Sequence, residues 1–181
     1  MVHGYCGAVG LWIHNIEPLC ENRPLYAFDL LGFGRSSRPN FDSDPEEAER
    51  QYIDSIEEWR KELQLDSFIL LGHSFGGFLA SAYALRFPEY IKGLILVDPW
   101  GFPEKPFPLD DPNVQLPKWK SRLIKITQNL SPSYIFRSTG QLGLALMKQY
   151  RPDFRIKYQS ILKNPDIIYD YLYFSNNQNP K

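Results

Sequence analysis

The residues best placed to do chemistry are Gly72-His73-Ser74-Phe75-Gly76-Gly77, preceded by the apolar run Ile69-Leu70-Leu71 and followed by Phe78-Leu79-Ala80. A serine flanked by glycines two positions away on each side, between a strand-like and a helix-like run, has the pattern of a nucleophile elbow. The glycines have a physical reason. A serine on a sharp strand-to-helix turn sits in strained backbone, and Cβ atoms at the flanking positions would collide with the neighbouring strand and helix. The hydroxyl is thereby pushed into the open. Phe75 opens the helix, so its backbone N–H points toward the oxygen that becomes negative when Ser74 attacks a carbonyl, and the helix dipole favours that charge. The plainer reading of the same residues is a glycine turn with a solvated hydroxyl.

The flanking elements favour the nucleophile. Leu79, Ala80, Tyr83, Ala84 and Phe87 have helical spacing and stop at Pro88, and Leu94-Ile95-Leu96-Val97 reads as a second strand. Together they predict a βαβ unit with Ser74 at a strand's C-terminal end, the edge where open α/β sheets bind ligands. Upstream, Leu11, Trp12, Ile16 and Leu19 predict a short helix before Pro24, and Leu25-Tyr26-Ala27-Phe28 a buried strand. The glycine-rich loop from Asp29 to Ser37 lacks the Lys-Ser/Thr of a phosphate-binding P-loop and a full G-x-G-x-x-G, so packing and turn formation are its expected roles. Asp44-Pro45-Glu46-Glu47 starts a helix, with an Asp N-cap, proline at the first position and an acidic residue at N3. Its stripe of Tyr52, Ile56, Trp59 and Leu63, with Glu and Arg on the other side, predicts a helix that covers the sheet.

After Val97 the chain changes character, with Pro99, Pro103, Pro106, Pro108, Pro112 and Pro117 close together in an extended segment. From Lys118 onward the pattern is helical, with Trp119, Leu123, Ile126 and Leu130 on one face and Lys118, Lys120, Arg122 and Lys125 on the others. Pro132, Pro152 and Pro165 fall at helix starts. The expected division is an α/β core over residues 1–98, then a proline-rich connection and helical segment over 99–181. That segment reads either as a lid over an apolar pocket or as a structural helical subdomain. The Lys118–Lys125 helix is a candidate for contact with an anionic membrane surface, a solvated helix being the duller alternative.

Composition narrows the class. With 181 residues, 43% hydrophobic and 23% charged, the chain is of ordinary globular composition and long enough for one domain. A net charge of -1 argues against nucleic-acid binding. Cys6 and Cys20 fit free thiols in a reducing compartment, neither has metal-ligand spacing, and no cofactor or metal is expected. No stretch approaches the roughly 20 apolar residues of a membrane span, and no signal peptide opens the chain. A soluble or membrane-surface protein inside the cell is the expectation.

Several pieces taken together carry a family resemblance: Val2-His3-Gly4, Phe28 to Pro39, Ser55 to Arg60, the elbow, Leu94 to Pro103, and Tyr150-Arg151-Pro152-Asp153-Phe154. The chain resembles abhydrolase-domain proteins four and five. The resemblance implies an α/β-hydrolase fold, a mostly parallel sheet flanked by helices with a helical lid, acting on lysophospholipids and N-acyl phospholipids. It implies that His3-Gly4 leaves a strand and that Tyr5 N–H pairs with Phe75 N–H as the oxyanion hole. One branch carries asparagine at the elbow and serves at lipid droplets as coactivator of a lipase, with acyl transfer to lysophosphatidic acid also ascribed to it; Ser74 matches the hydrolytic branch. The resemblance further implies a cytoplasmic protein, peripheral at a lipid droplet, endoplasmic reticulum or mitochondrial membrane, with a lipid substrate and a lipase as candidate partners.

One departure matters. In α/β-hydrolases the triad runs Ser, acid, His, yet His3, His14 and His73 all precede Ser74. The acid and base are expected beyond residue 181, and the strand leading to His3 is a stub at Val2. Asp98 is a conceivable acid at the end of the strand after the elbow helix, although the family places its acid further on. Two functions stay open: a serine hydrolase of lipid esters, and a non-catalytic lipid- or lipase-binding module that lacks the base histidine.

Overall fold

The computed structural model describes residues 1–102 and 140–177, so the expected helix from Lys118 to Leu130, its basic residues and the start at Pro132 lie outside the described residues. The chain divides into two compact units, one built on Met1–Gly101 and the other on Phe102–Asn177.

In the first unit β1 (Phe68–His73) and β2 (Ile91–Val97) pair in parallel, with Leu70 opposite Leu94 and His73 opposite Val97. Parallel neighbours need a crossover. It is α3 (Phe75–Arg86), which packs on both strands and ends before Pro88 as its spacing predicts. The cover is α2 (Pro45–Glu62), whose first turn is closed as expected: Asp44 Oδ1 accepts from Glu46 N–H at 2.9 Å and Glu47 N–H at 3.1 Å, with Pro45 at the first helical position. Between these layers lie Val2, Leu30, Phe33, Ile53, Ile56, Leu70, Leu79, Ala80 and Tyr83.

Three local expectations are corrected. Leu25 to Phe28 form no regular strand; Phe28 alone makes a bridge, and Tyr26 is exposed. Its neighbour in the sheet is Val2, which bridges Phe28 on one side and Gly72 on the other, both in parallel. One residue cannot support a ladder, so the sheet is continuous there for a single step. A cleft of about 470 Å³ opens beside it, lined by Met1, Leu25, Tyr26, Phe28, Leu70 and Leu71 among others. The single helix expected before Pro24 is instead a 3₁₀ turn (Val9–Trp12) followed by α1 (Ile16–Cys20).

The third correction concerns α2. Its buried residues are Ile53, Ile56, Glu57 and Arg60, so two charged side chains expected on the wet face point inward. They are fully paired. Arg60 Nε and Nη2 donate to the two Glu57 carboxylate oxygens at 2.9 and 2.8 Å, Tyr83 O–H donates to Glu57 Oε2 at 2.6 Å, and Arg60 Nη1 donates to the Leu65 carbonyl at 2.6 Å. The Arg60 guanidinium also lies 3.8 Å from the Tyr90 ring centre. The hydrogen bonds from Arg60 hold the Glu57 carboxyl down at about 2.

The second unit contains α4 (Gln141–Tyr150), α5 (Asp153–Tyr158) and α6 (Ile167–Asn177). Pro152 and Pro165 stand just ahead of α5 and α6, where a missing N–H costs nothing. Met147, Ile168 and Tyr169 form its core, with Leu144, Phe154, Tyr158, Leu162 and Leu172 packed on them. Arg151 and Asp153 form a bidentate pair at 2.9 and 3.0 Å, and the Arg151 guanidinium lies 3.9 Å from the Phe154 ring centre. Among the described residues no helix is long and apolar enough to cross a membrane. Both cysteines are free thiols.

Candidate active site

Ser74 stands between the last residue of β1 and the first of α3, with φ 53° and ψ -119°. That left-handed backbone is costly for a residue with a Cβ, about 1–3 kcal/mol, and persists only where the surroundings dictate it. They do so here through four hydrogen bonds. Ser74 N–H donates to Val97 O at 3.0 Å, while its carbonyl accepts from Gly77, Phe78 and Trp100 N–H at 2.9, 3.2 and 2.9 Å. The turn is thus tied to β2 and to its own helix.

The neighbouring glycines let those backbones meet. A Cβ on Gly72 would lie 2.2 Å from the Gly76 carbonyl oxygen, and one on Gly76 would lie 2.5 Å from the carbonyl oxygens of Val2 and His3. Neither contact can relax by moving a side chain.

The second wall comes from the N-terminal loop. A Cβ on Gly4 would meet Ser74 Cβ at 3.0 Å, so the chain from His3 to Tyr5 passes directly against the serine. The Tyr5 ring packs edge-on against Phe75 and Phe33, at centroid distances of 6.4 and 5.4 Å. The structure therefore brings Ser74, Tyr5 and Phe75 together. Phe75 N–H, at the first position of α3, has no acceptor within its own helix.

Asp29 braces this loop. Its Oδ1 accepts from Val9 N–H at 2.7 Å and its Oδ2 from Arg35 N–H at 2.9 Å, which joins the N-terminal loop to the glycine-rich loop. Gly34, at φ 50°, leaves room for that carboxylate, since a Cβ there would lie 2.2 Å from Asp29 Oδ2. The Asp29 carboxylate thus occupies the space beside Gly34 in the glycine-rich loop. The sequence offered a signal for this bond, an aspartate opening a loop with two glycines, although sequence reasoning gave Asp29 no role.

No histidine reaches the serine. His3 is fully buried, with Nε2 accepting from Leu30 N–H at 2.9 Å and Nδ1 bonded to the Gly4 carbonyl at 2.8 Å. Burial holds its pKa below the ordinary imidazole value. The His73 ring packs edge-on against Trp12 at 6.3 Å, and His14 is exposed beside the 3₁₀ turn. Among the described residues Ser74 Oγ makes no hydrogen bond to an imidazole. Asp98 follows β2 at φ 45°, exposed, between Val97 and Pro99. Its backbone lies near Ser74, but no hydrogen bond joins it to a histidine among the described residues. No group of three His, Cys, Asp or Glu side chains among the described residues could hold a metal.

Comparison with known proteins agrees with this geometry. A family described as alpha/beta hydrolase fold matches residues 1–132. Human 1-acylglycerol-3-phosphate O-acyltransferase ABHD5 is 51% identical over 180 residues, covering 99% of this chain and 51% of its own length. Human (Lyso)-N-acylphosphatidylethanolamine lipase is 46% identical over 180 residues, covering 99% of this chain and 52% of its own. The chain thus spans about half the length of these curated relatives. Among solved structures, a mutant epoxide hydrolase from Bacillus megaterium aligns with a TM-score of 0.65 at 17% identity, covering 94% of this chain and 58% of that one. At that identity the likeness concerns fold alone. A strand-to-helix serine in strained backbone, a parallel βαβ unit and the sequence match lead to one assignment: the chain belongs to the α/β-hydrolase family.

Proposed function

We propose that Ser74 is the nucleophile of a serine hydrolase or acyltransferase acting on acyl esters of glycerophospholipids. The observation that carries the reading is Ser74 itself, held at φ 53° by bonds from two elements and pressed against Gly4. The names of the two relatives, an acylglycerol-phosphate acyltransferase and an N-acylphosphatidylethanolamine lipase, support the substrate class.

In this mechanism Ser74 Oγ bonds to the acyl carbonyl carbon, and the carbonyl oxygen takes the electron pair. Tyr5 and Phe75 N–H groups hold that oxyanion. When the intermediate collapses, the carbon–oxygen bond to the glycerol breaks, and the departing alkoxide takes the proton that Ser74 lost. Water then attacks the acyl-serine to release a fatty acid, or a second lipid hydroxyl attacks it to complete transfer. These steps need a proton carrier, and among the described residues none of His3, His14 and His73 is hydrogen-bonded to Ser74 Oγ.

That last observation favours a second reading, a lipid- or lipase-binding module that does not turn substrate over. One experiment separates the two. The chain and its Ser74→Ala variant are incubated with a lysophospholipid and with a p-nitrophenyl acyl ester, and product is quantified. The expected result is weak release at the level that binding and the oxyanion hole supply without a base, about 10³ to 10⁴ over water, and little changed by Ser74→Ala. Release no faster than in buffer alone would remove the oxyanion hole and leave the binding module.

A further inference from the structure

We propose that Arg35 binds the phosphate of the lipid head group and so sets the direction in which substrate lies across Ser74; this rests on the glycerophospholipid reading of the site. The sheet gives the frame. Val2 pairs in parallel with Phe28 on one side and with Gly72 on the other, and β1 pairs in parallel with β2. The segments that follow Phe28, Val2, β1 and β2 therefore all leave from one edge, the edge at which parallel sheets bind ligands. Their order across it is the glycine-rich loop, the N-terminal loop, the Ser74 elbow and the turn at Asp98.

Charge is uneven along that edge. The segment from His3 to Ala8 brings only the buried His3, the elbow brings His73, and the turn after β2 brings the exposed Asp98 carboxylate. On the far side of the N-terminal loop, the glycine-rich loop brings Arg35 and Arg38. Arg38 braces the loop itself, its Nη1 donating to the Ser36 carbonyl and its Nη2 to the Gly34 carbonyl, both at 3.2 Å. Arg35 is exposed, and its guanidinium makes no hydrogen bond or ion pair among the described residues. The Asp29 carboxylate is turned to backbone instead, accepting from the N–H groups of Val9 and Arg35.

The backbone that carries this guanidinium is fixed. Ser36 N–H donates to the Phe33 carbonyl at 3.1 Å, which closes a four-residue turn with Arg35 at its third position. Arg35 N–H is tied to Asp29 Oδ2 at 2.9 Å, and Ser36 Oγ donates to the Asp29 carbonyl at 2.5 Å. Phe33, which opens the turn, is buried with its ring against Tyr5, and Tyr5 lies against Phe75 beside the serine. A guanidinium offers paired N–H donors that match two phosphate oxygens, and it keeps its charge at any working pH. The phosphate thus lies on the Phe33 side of Ser74, away from Asp98, and a neutral acylglycerol lacks this contact.

The test is binding, read by titration calorimetry on the 181-residue chain, with folding of each variant checked by circular dichroism. The titrants are octanoyl lysophosphatidate, octanoyl monoacylglycerol and inorganic phosphate, the two lipids below their micelle range. The chain is expected to prefer the lysophosphatidate to the monoacylglycerol. Arg35→Ala should weaken the lysophosphatidate about tenfold to a hundredfold and leave the monoacylglycerol unchanged, with part of the loss recovered in Arg35→Lys. Arg23→Ala removes another exposed arginine, at the opposite end of the segment that leads to Phe28, and should change neither. Equal affinity for the two lipids, an equal loss of both in Arg35→Ala, or the same loss in Arg23→Ala would overturn the assignment. Inorganic phosphate bound as tightly as the lysophosphatidate would overturn the lipid head group as its source. Failure to bind either lipid would instead remove the glycerophospholipid reading on which the assignment stands. The titrations are repeated in Ser74→Ala, so that the Arg35 result stands or falls independently of the nucleophile.

Discussion

The elbow at Gly72–Gly77 and the turn at Arg151–Phe154 are the two motifs that stand out most in the sequence, and opposite means hold them. At the elbow, identity is set by the absence of side chains, because strand, helix and N-terminal loop meet backbone to backbone with 2.2 to 2.5 Å left for any Cβ on Gly72 or Gly76. At the turn, identity is set by side chains, a guanidinium clamped on Asp153 and laid over Phe154. Both are specific patterns. Only the first has buried residues at its flanks, Gly72, Gly76 and Gly77, where backbone meets backbone and the geometry cannot relax. A third site sharpens the point. Glu57–Arg60 repeats the bidentate pairing of Arg151–Asp153, yet it is buried and has a tyrosine hydroxyl on the same carboxylate. The arginine partner holds the carboxyl at about 2 in both pairs. The solvent around them differs, and that decides the cost of breaking each.

The largest effect is expected at the elbow. Gly72→Ala should destabilise by about 3 kcal/mol or more, because the new Cβ meets the backbone of α3 rather than a movable side chain. Urea unfolding followed by circular dichroism checks it. A midpoint equal to the wild type would mean that the turn is looser than its contacts imply.

Next comes the buried pair. Glu57→Gln should cost about 3 kcal/mol, since Arg60 is left charged without its partner away from water. The same group sets a pH window. Its folded pKa of about 2 lies below the ordinary 4.5, so its contribution is fully present above about pH 4.5 and lost as pH falls through about 2. In the Glu57→Gln variant the acid limb of a stability–pH curve should flatten over that interval, and an unchanged limb would contradict the assignment.

The smallest effect belongs to the exposed turn. Arg151→Ala removes a pair that is wet on both sides, and such pairs are worth little. Its unfolding midpoint should scarcely move in low salt and not at all in high salt. A loss as large as that of Glu57→Gln would erase the distinction between the regions.

The sequence disclosed the parts of the fold that are local. The Asp44-Pro45 start of α2, the end of α3 before Pro88 and the serine turn each follow from a few adjacent residues, and each is found. It failed where the answer depends on a distant neighbour. Leu25 to Phe28 has the composition of a buried strand, but its pairing depends on Val2, more than twenty residues away, which supplies one bridge. Glu57 and Arg60 read as solvent-facing because their partners, Tyr83 and Tyr90, belong to later segments. The site was legible in the same measure. Ser74 and Phe75 are given by the elbow, and Tyr5 by its place after His3-Gly4. The hydrogen bonds that His3 accepts from Leu30 N–H and Asp29 from Val9 N–H were hidden, because each joins residues about twenty or more positions apart.

The central claim, that Ser74 is a nucleophile poised in an oxyanion hole, is tested most directly by covalent labelling. The chain is treated with a fluorophosphonate probe, digested, and the adduct located by mass spectrometry, alongside Ser74→Ala. The account predicts a slow, saturable adduct on Ser74 that is absent from Ser74→Ala. An adduct spread over other serines and tyrosines, or labelling of equal extent in Ser74→Ala, would contradict it.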